Sequence, residues 1–151
     1  MLDGLFLGPA IAAVADALRT AALADRPVAV VGHPALARGL AERGVAVIAL
    51  DAAARPLRKL RDAAARSRLD ALPIGDRRLG ALVGWGVSGR ADWEDVLAEW
   101  SRAVADGGLV VLVDRAPSIE LSRRALCGGL AELQQRPAGR MTVTSGIVTE
   151  L

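Results

Sequence analysis

Apolar residues alternate along this chain between two rhythms. One is the short continuous run: VAVV at 28–31, VAVIAL at 45–50, LGALV at 79–83 and LVVLV at 109–113. Valine-rich runs of this length, with no polar face, predict strands buried on both sides, as in a parallel sheet. The other rhythm is the helical spacing of three and four. Ile11, Val14, Ala15, Leu18 and Ala22 follow it near the start. Trp93, Val96, Leu97, Trp100 and Val104 follow it in the second half.

Turn and cap residues divide these rhythms into elements. Gly8-Pro9 predicts the start of the first helix, with Pro9 in its first turn. A helix over 35–43 is closed by Gly44 as its C-cap. A second helix over 56–68 carries Arg58, Lys59, Arg61, Arg66 and Arg68, and a short extended piece over 71–73 leads to the turn signal Gly75-Asp76. Asp92, with Asp95 three residues on, predicts the cap of a helix over 92–105, which Asp106-Gly107-Gly108 stops. A helix over 118–127 ends at Gly128-Gly129, and Pro137-Ala138-Gly139 makes a hairpin of 130–136 and 140–149.

Strands and helices alternate, and a hairpin closes the chain. The expected fold is α/β: a doubly wound, mostly parallel, Rossmann-like sheet of seven strands with a C-terminal antiparallel hairpin. The strand 140–149 is expected antiparallel to the rest, beside 109–113. No linker, repeat or low-complexity tract interrupts the pattern. Residues 1–151 therefore read as one domain, with 1–26 as an N-terminal helix and lead-in.

Composition narrows the chemistry. The chain is 52% hydrophobic, yet its aromatics are only Phe6, Trp85, Trp93 and Trp100, so the core must be mostly alanine, valine and leucine. A net charge of +2 gives no field for nucleic acid or a membrane surface. One cysteine, Cys127, and one histidine, His33, exclude an internal disulfide and argue against a cysteine-pair or histidine-based metal site. A reducing cytoplasm is the expected setting. The apolar stretch 5–15 lacks a basic lead and is too short to span a bilayer.

Four segments, in order, resemble the class I S-adenosylmethionine-dependent methyltransferases. They are VAVVGHPALARGLAERG, VAVIALD, DALPIGDRRLGALVGWG and DVLAEWSRAVADGGLVVLVD. The resemblance places Gly32 in the family's glycine-rich loop, Asp51 at the ribose-binding acid that ends strand two, and Asp70 at the adenine-contacting acid. It also implies S-adenosylmethionine as cofactor, with substrate over Gly84-Trp85-Gly86.

The loop departs from the family pattern. Val30 stands for the acid, Pro34 for the second glycine and Leu36 near the third, on a path about two residues shorter. Proline removes an N–H and fixes φ where glycine lets the backbone approach a ligand. Residues 32–35 are expected to form a filled turn, with Leu36 in the space a cofactor would need. Gly32, Asp51 and Asp70 would then be vestigial and the cofactor lost. The domain would serve as a structural or regulatory protein, with a protein partner or as a homodimer. The alternative is an active small-molecule methyltransferase with an unusual loop. A nicotinamide-binding protein is a third reading, permitted by the Gly32–Asp51 spacing and opposed by the missing Gly-x-Gly-x-x-Gly.

Other residues carry two readings each. His33 is a base at the sheet's mouth or a solvated loop residue. Trp85 lines a pocket or is structural. Trp93 and Trp100 share one stripe and read as core. The basic helix 56–68 binds anions or is a solvated face interrupted by Asp62, and Arg115 is open to the same two readings. No Ser-His-Asp set, carboxylate pair or Walker loop is found.

Overall fold

The valine-rich runs pair edge to edge in one mixed sheet. The computed structural model describes residues 3–21, 23, 25–50, 75–87, 93–115, 123, 125–127 and 129–149. Its elements are α1 (Asp3–Thr20), β1 (Val28–Val31), α2 (Pro34–Glu42), β2 (Val47–Leu50), β3 (Leu79–Trp85), α3 (Trp93–Ala103), β4 (Val104–Asp114), β5 (Leu130–Ala138) and β6 (Met141–Val148). The strand order is β2-β1-β3-β4-β6-β5. Strands β1 to β4 run parallel, and β6 lies antiparallel between β4 and β5. The closing hairpin thus inserts its second strand beside β4, as expected. The sheet has six strands among the described residues, not seven; the expected seventh piece, 71–73, lies outside them, as does the helix expected over 56–68.

Two cores flank the sheet. On one face, Ala10, Val14 and Leu18 of α1 and Leu36 and Leu40 of α2 meet Val30, Val83 and Val111. On the other, Val96, Leu97 and Trp100 of α3 meet Val31, Leu82, Val110 and Leu112. Successive strand side chains point to opposite faces, so one unbroken apolar run supplies both cores. The N-terminal helix covers one sheet face, as its spacing predicted. Among the described residues no helix is long and apolar enough to cross a membrane.

Several boundaries differ from the sequence expectation; Pro137 and Ala138, expected in the hairpin turn, belong to β5. Helix α1 begins at Asp3, and Pro9 lies inside it. Helix α3 ends at Ala103, so Val104 belongs to a strand, although it stays buried on the α3 face. Asp106-Gly107-Gly108 therefore lies inside β4 and does not stop a helix. There the β3–β4 register shifts, with Leu79 opposite Val104 but Ala81 opposite Leu109. A Cβ on Gly108 would come 2.7 Å from the Gly80 carbonyl oxygen, so glycine is required where the two strands close up.

Candidate functional site

Strand order identifies the ligand edge in such a sheet. From β1 the chain moves outward to β2, then returns across β1 to β3. Ligands of doubly wound sheets bind at such a reversal, outside the carboxyl ends of the strands. Here that crevice lies between Gly32, after β1, and Trp85-Gly86, at the end of β3. The pairing of Val31 with Gly84 brings the two ends level.

The crevice is spanned by a side-chain pair. The rings of His33 and Trp85 lie 4.3 Å apart between centroids, tilted by 42°. Both are half-buried. Trp85 points to the face covered by α1 and α2 and packs against that core. Its structural reading is met, and it stands at the end of β3 on the carboxyl edge of the sheet.

His33 is also the N-cap of α2. Its Nδ1 accepts a hydrogen bond from the Leu36 N–H at 3.1 Å, and its carbonyl accepts from the Ala37 N–H, also at 3.1 Å. Pro34, at the first helical turn, has no N–H to offer. At most the Ala35 N–H is left for a ligand at this helix terminus. An Nδ1 that accepts carries no proton, so the neutral ring holds its proton on Nε2. That nitrogen is therefore taken up by the cap and is not available as the base considered from sequence. The signal for the cap was Pro34 itself, since proline at the first helical position marks the residue before it. Nothing in the spacing foretold the contact with Trp85, 52 positions later.

The two glycines of the crevice keep conformations that suit a close backbone approach. Gly32 has φ 77° and Gly86 has φ 69°, and both are exposed. Their N–H groups are committed inward, to the carbonyls of Leu50 and Val113, each at 2.9 Å. Leu36 differs from expectation. It is fully buried in the α1–α2 core and does not project into open space at the edge, because its position on α2 faces the sheet. Asp51 and Asp70 lie outside the described residues. Asp51 directly follows Leu50, whose carbonyl holds Gly32.

The expected core role of α3 is met by Trp100 and Leu97, both buried, while Trp93 is only half-buried. Arg115 is exposed just past β4. No group of three or more His, Cys, Asp or Glu among the described residues is placed to hold a metal ion.

Many solved structures share this architecture. One is the 1,6-didemethyltoxoflavin-N1-methyltransferase of Burkholderia thailandensis, solved with 1,6-didemethyltoxoflavin and S-adenosylhomocysteine. It matches 99% of this chain and 80% of its own, at 15% identity and a TM-score of 0.72. The chain has the fold of the S-adenosylmethionine-dependent methyltransferases. A Thermotoga maritima member, a possible histamine N-methyltransferase, matches 98% of this chain and 92% of its own, at 14% identity and a TM-score of 0.71. The CurJ carbon methyltransferase matches 83% of this chain at 9% identity and a TM-score of 0.68, and this chain spans only 49% of its length. At such identities the likeness is one of fold. No protein-family model matches the sequence, and no curated protein does.

Proposed function

We propose that this methyltransferase-fold domain no longer uses S-adenosylmethionine and acts as a structural or regulatory protein, paired with another protein or with a second copy of itself. The observation that carries this reading is the cap at His33. In a working loop of this fold, open N–H groups and bare backbone face the ligand. Here His33 takes the N–H of Leu36, Pro34 supplies none, and the His33 ring leans on Trp85 across the crevice. On this reading the His33 side chain takes one donor of the turn and, with Trp85, stands in the opening that a cofactor would need. On this reading Gly32, Asp51 and Asp70 are remnants of a cofactor site.

A second reading is favoured by a different observation. Gly32 and Gly86 retain positive φ and exposure at the ends of β1 and β3. They leave the backbone approachable from solvent, as an active small-molecule methyltransferase would require. Such enzymes can work by proximity and orientation, so the lack of an acid–base set does not count against it. On this reading the bound S-adenosylmethionine supplies the methyl group, and Asp51 and Asp70 are its ribose and adenine contacts.

Calorimetric titration of the full chain with S-adenosylmethionine and S-adenosylhomocysteine separates the two. The expected result is no saturable heat up to millimolar ligand. Micromolar binding of either compound would overturn the proposal in favour of the enzyme.

A further inference from the structure

At the end of the sheet opposite His33 and Trp85, a second cleft opens between the last turn of α1 and strands β4, β6 and β5. Its volume is about 310 Å³, at the low end of small-molecule sites. Leu109 and Ile147 form an apolar floor, while Thr20, Glu132, Gln134 and Ser145 bring polar atoms to it.

Ser145 is the residue that calls for an occupant. It is only 8% exposed and stands between Val111 of β4 and Gln134 of β5 in the ladder. Among the described residues its hydroxyl has no hydrogen-bond partner. A buried hydroxyl left unpaired costs about 1–3 kcal/mol; none of the described residues supplies its partner, and the cleft lets a ligand reach it.

Strand β5 is irregular beside the same cleft. Its register against β6 shifts between Ala131 and Gln134, and Glu132 there has φ 49°. A non-glycine residue in this left-handed region costs about 1–2 kcal/mol. The shift lets Leu130 and Leu133, three apart, both face the α3 side, where a Cβ on Gly146 would meet each of them within 2.8 Å. Glu132 and Gln134 are left facing the α1 side and the cleft.

The polar rim consists largely of acceptors. The Glu132 carboxylate only accepts. Thr20 spends its proton on the carbonyls of Asp16 and Ala17, at 3.2 and 3.0 Å, which leaves its lone pairs for a ligand. Thr20 also ends an 18-residue helix, whose negative pole favours a cation. Among the described residues no lysine or arginine lines the cleft, and neighbouring Arg19 is turned to Asp16 at 3.3 Å.

We propose that this cleft binds a small organic cation, a primary ammonium on a short alkyl chain. The ammonium would meet Glu132, Ser145 and Thr20, and the alkyl chain would lie on Leu109 and Ile147. The site is independent of the carboxyl edge and of whether S-adenosylmethionine binds there.

The test is an amide chemical-shift titration of the full chain with n-butylammonium chloride, compared with 1-butanol and sodium butyrate. Saturable shifts are expected at Thr20, Gly107, Ser145 and Ile147 with the ammonium, and at least tenfold weaker responses with the other two. Glu132→Gln should weaken ammonium binding at least tenfold, and Ser145→Ala, which is small enough to leave the strand intact, at least threefold. Equal responses to butanol and butylammonium would overturn the proposal by showing a merely apolar crevice. Absence of saturation, or shifts confined to the carboxyl edge, would also overturn it. If Glu132→Gln does not fold, Ser145→Ala decides, and unchanged affinity in that variant rejects the site.

Discussion

Gly84 and Trp100 are fitted to one another across the β3–α3 interface. A Cβ on Gly84 would lie 2.7 Å from Trp100 Cζ3 and nearer still to Cη2. Trp100 is fully buried and has no room to retreat. Gly84→Ala should therefore destabilise the protein by about 1–3 kcal/mol, and Trp100→Ala by about 3–5 kcal/mol. Once the indole is gone, a methyl group added at position 84 has space. The double variant should then be no less stable than Trp100→Ala alone, a non-additivity that urea denaturation can read. Additive losses would mean that the pair is not in contact.

The cap at His33 gives a milder prediction. Replacing an N-cap acceptor by alanine costs about 1 kcal/mol, while asparagine restores the bond. His33→Ala should lose about that much, with a further small loss from the contact with Trp85. His33→Asn should recover the cap but not the ring contact. If both variants match the wild type in denaturant midpoint, the cap has no energetic role and the filled-turn reading loses its support.

Arg102 ties the last turn of α3 to the turn before β3. It is paired with Glu99 and, at 2.6 Å, with Asp76. The hydrogen bonds it donates, to Glu99 first and then to Asp76, hold its guanidinium above its ordinary value. A cation whose folded value is raised contributes stability that is complete below the unfolded value and fades only as pH climbs through the folded one. For arginine both lie in strong alkali. The stability difference between wild type and Arg102→Met should thus carry no guanidinium titration between pH 6 and 10. The side chain is 35% exposed and Asp76 is largely solvated, so the loss should stay below about 1 kcal/mol. A larger loss would show that the Glu99 contact, less exposed, acts as a buried pair.

How far the sequence foretold this molecule depends on the range of each interaction. Local, periodic signals were readable: the valine runs became strands, the α1 spacing became a helix on one face, and 140–149 became the antiparallel neighbour of β4. Signals that depend on a distant partner were not. Gly107-Gly108 reads as a helix stop by composition, yet Gly108 answers to Gly80 on the next strand. The bulge at Glu132 has no local cue, because it arises from two leucines that must both reach Gly146. Leu36 looks like bulk in a ligand loop until the packing of α2 on the sheet turns it inward. The acids assigned by resemblance, Asp51 and Asp70, lie outside the described residues, so the ligand edge is defined here by Gly32, His33, Trp85 and Gly86.

The cofactor question can be put to the edge directly. Restoring glycine at 36 is the wrong repair, because Leu36 is core and its loss would open a cavity costing about 2–5 kcal/mol. The substitutions that clear the crevice are His33→Gly and Pro34→Gly together. They remove the cap and the ring over Trp85, and they return an N–H at 34. The wild type should show no thermal shift with millimolar S-adenosylmethionine. The double glycine variant will melt lower, and it should regain stability with ligand if the turn is what blocks the site. Ligand at about 100 times its dissociation constant adds about 2.7 kcal/mol, a readily visible change. Adding Asp51→Ala to that variant should abolish the gain, because the carboxylate is the expected partner of the ribose hydroxyls. A shift already present in the wild type, and lost in Asp51→Ala alone, would mean that the His33–Trp85 pair tolerates the cofactor, that the site still holds it and that the proposed loss of the cofactor is wrong.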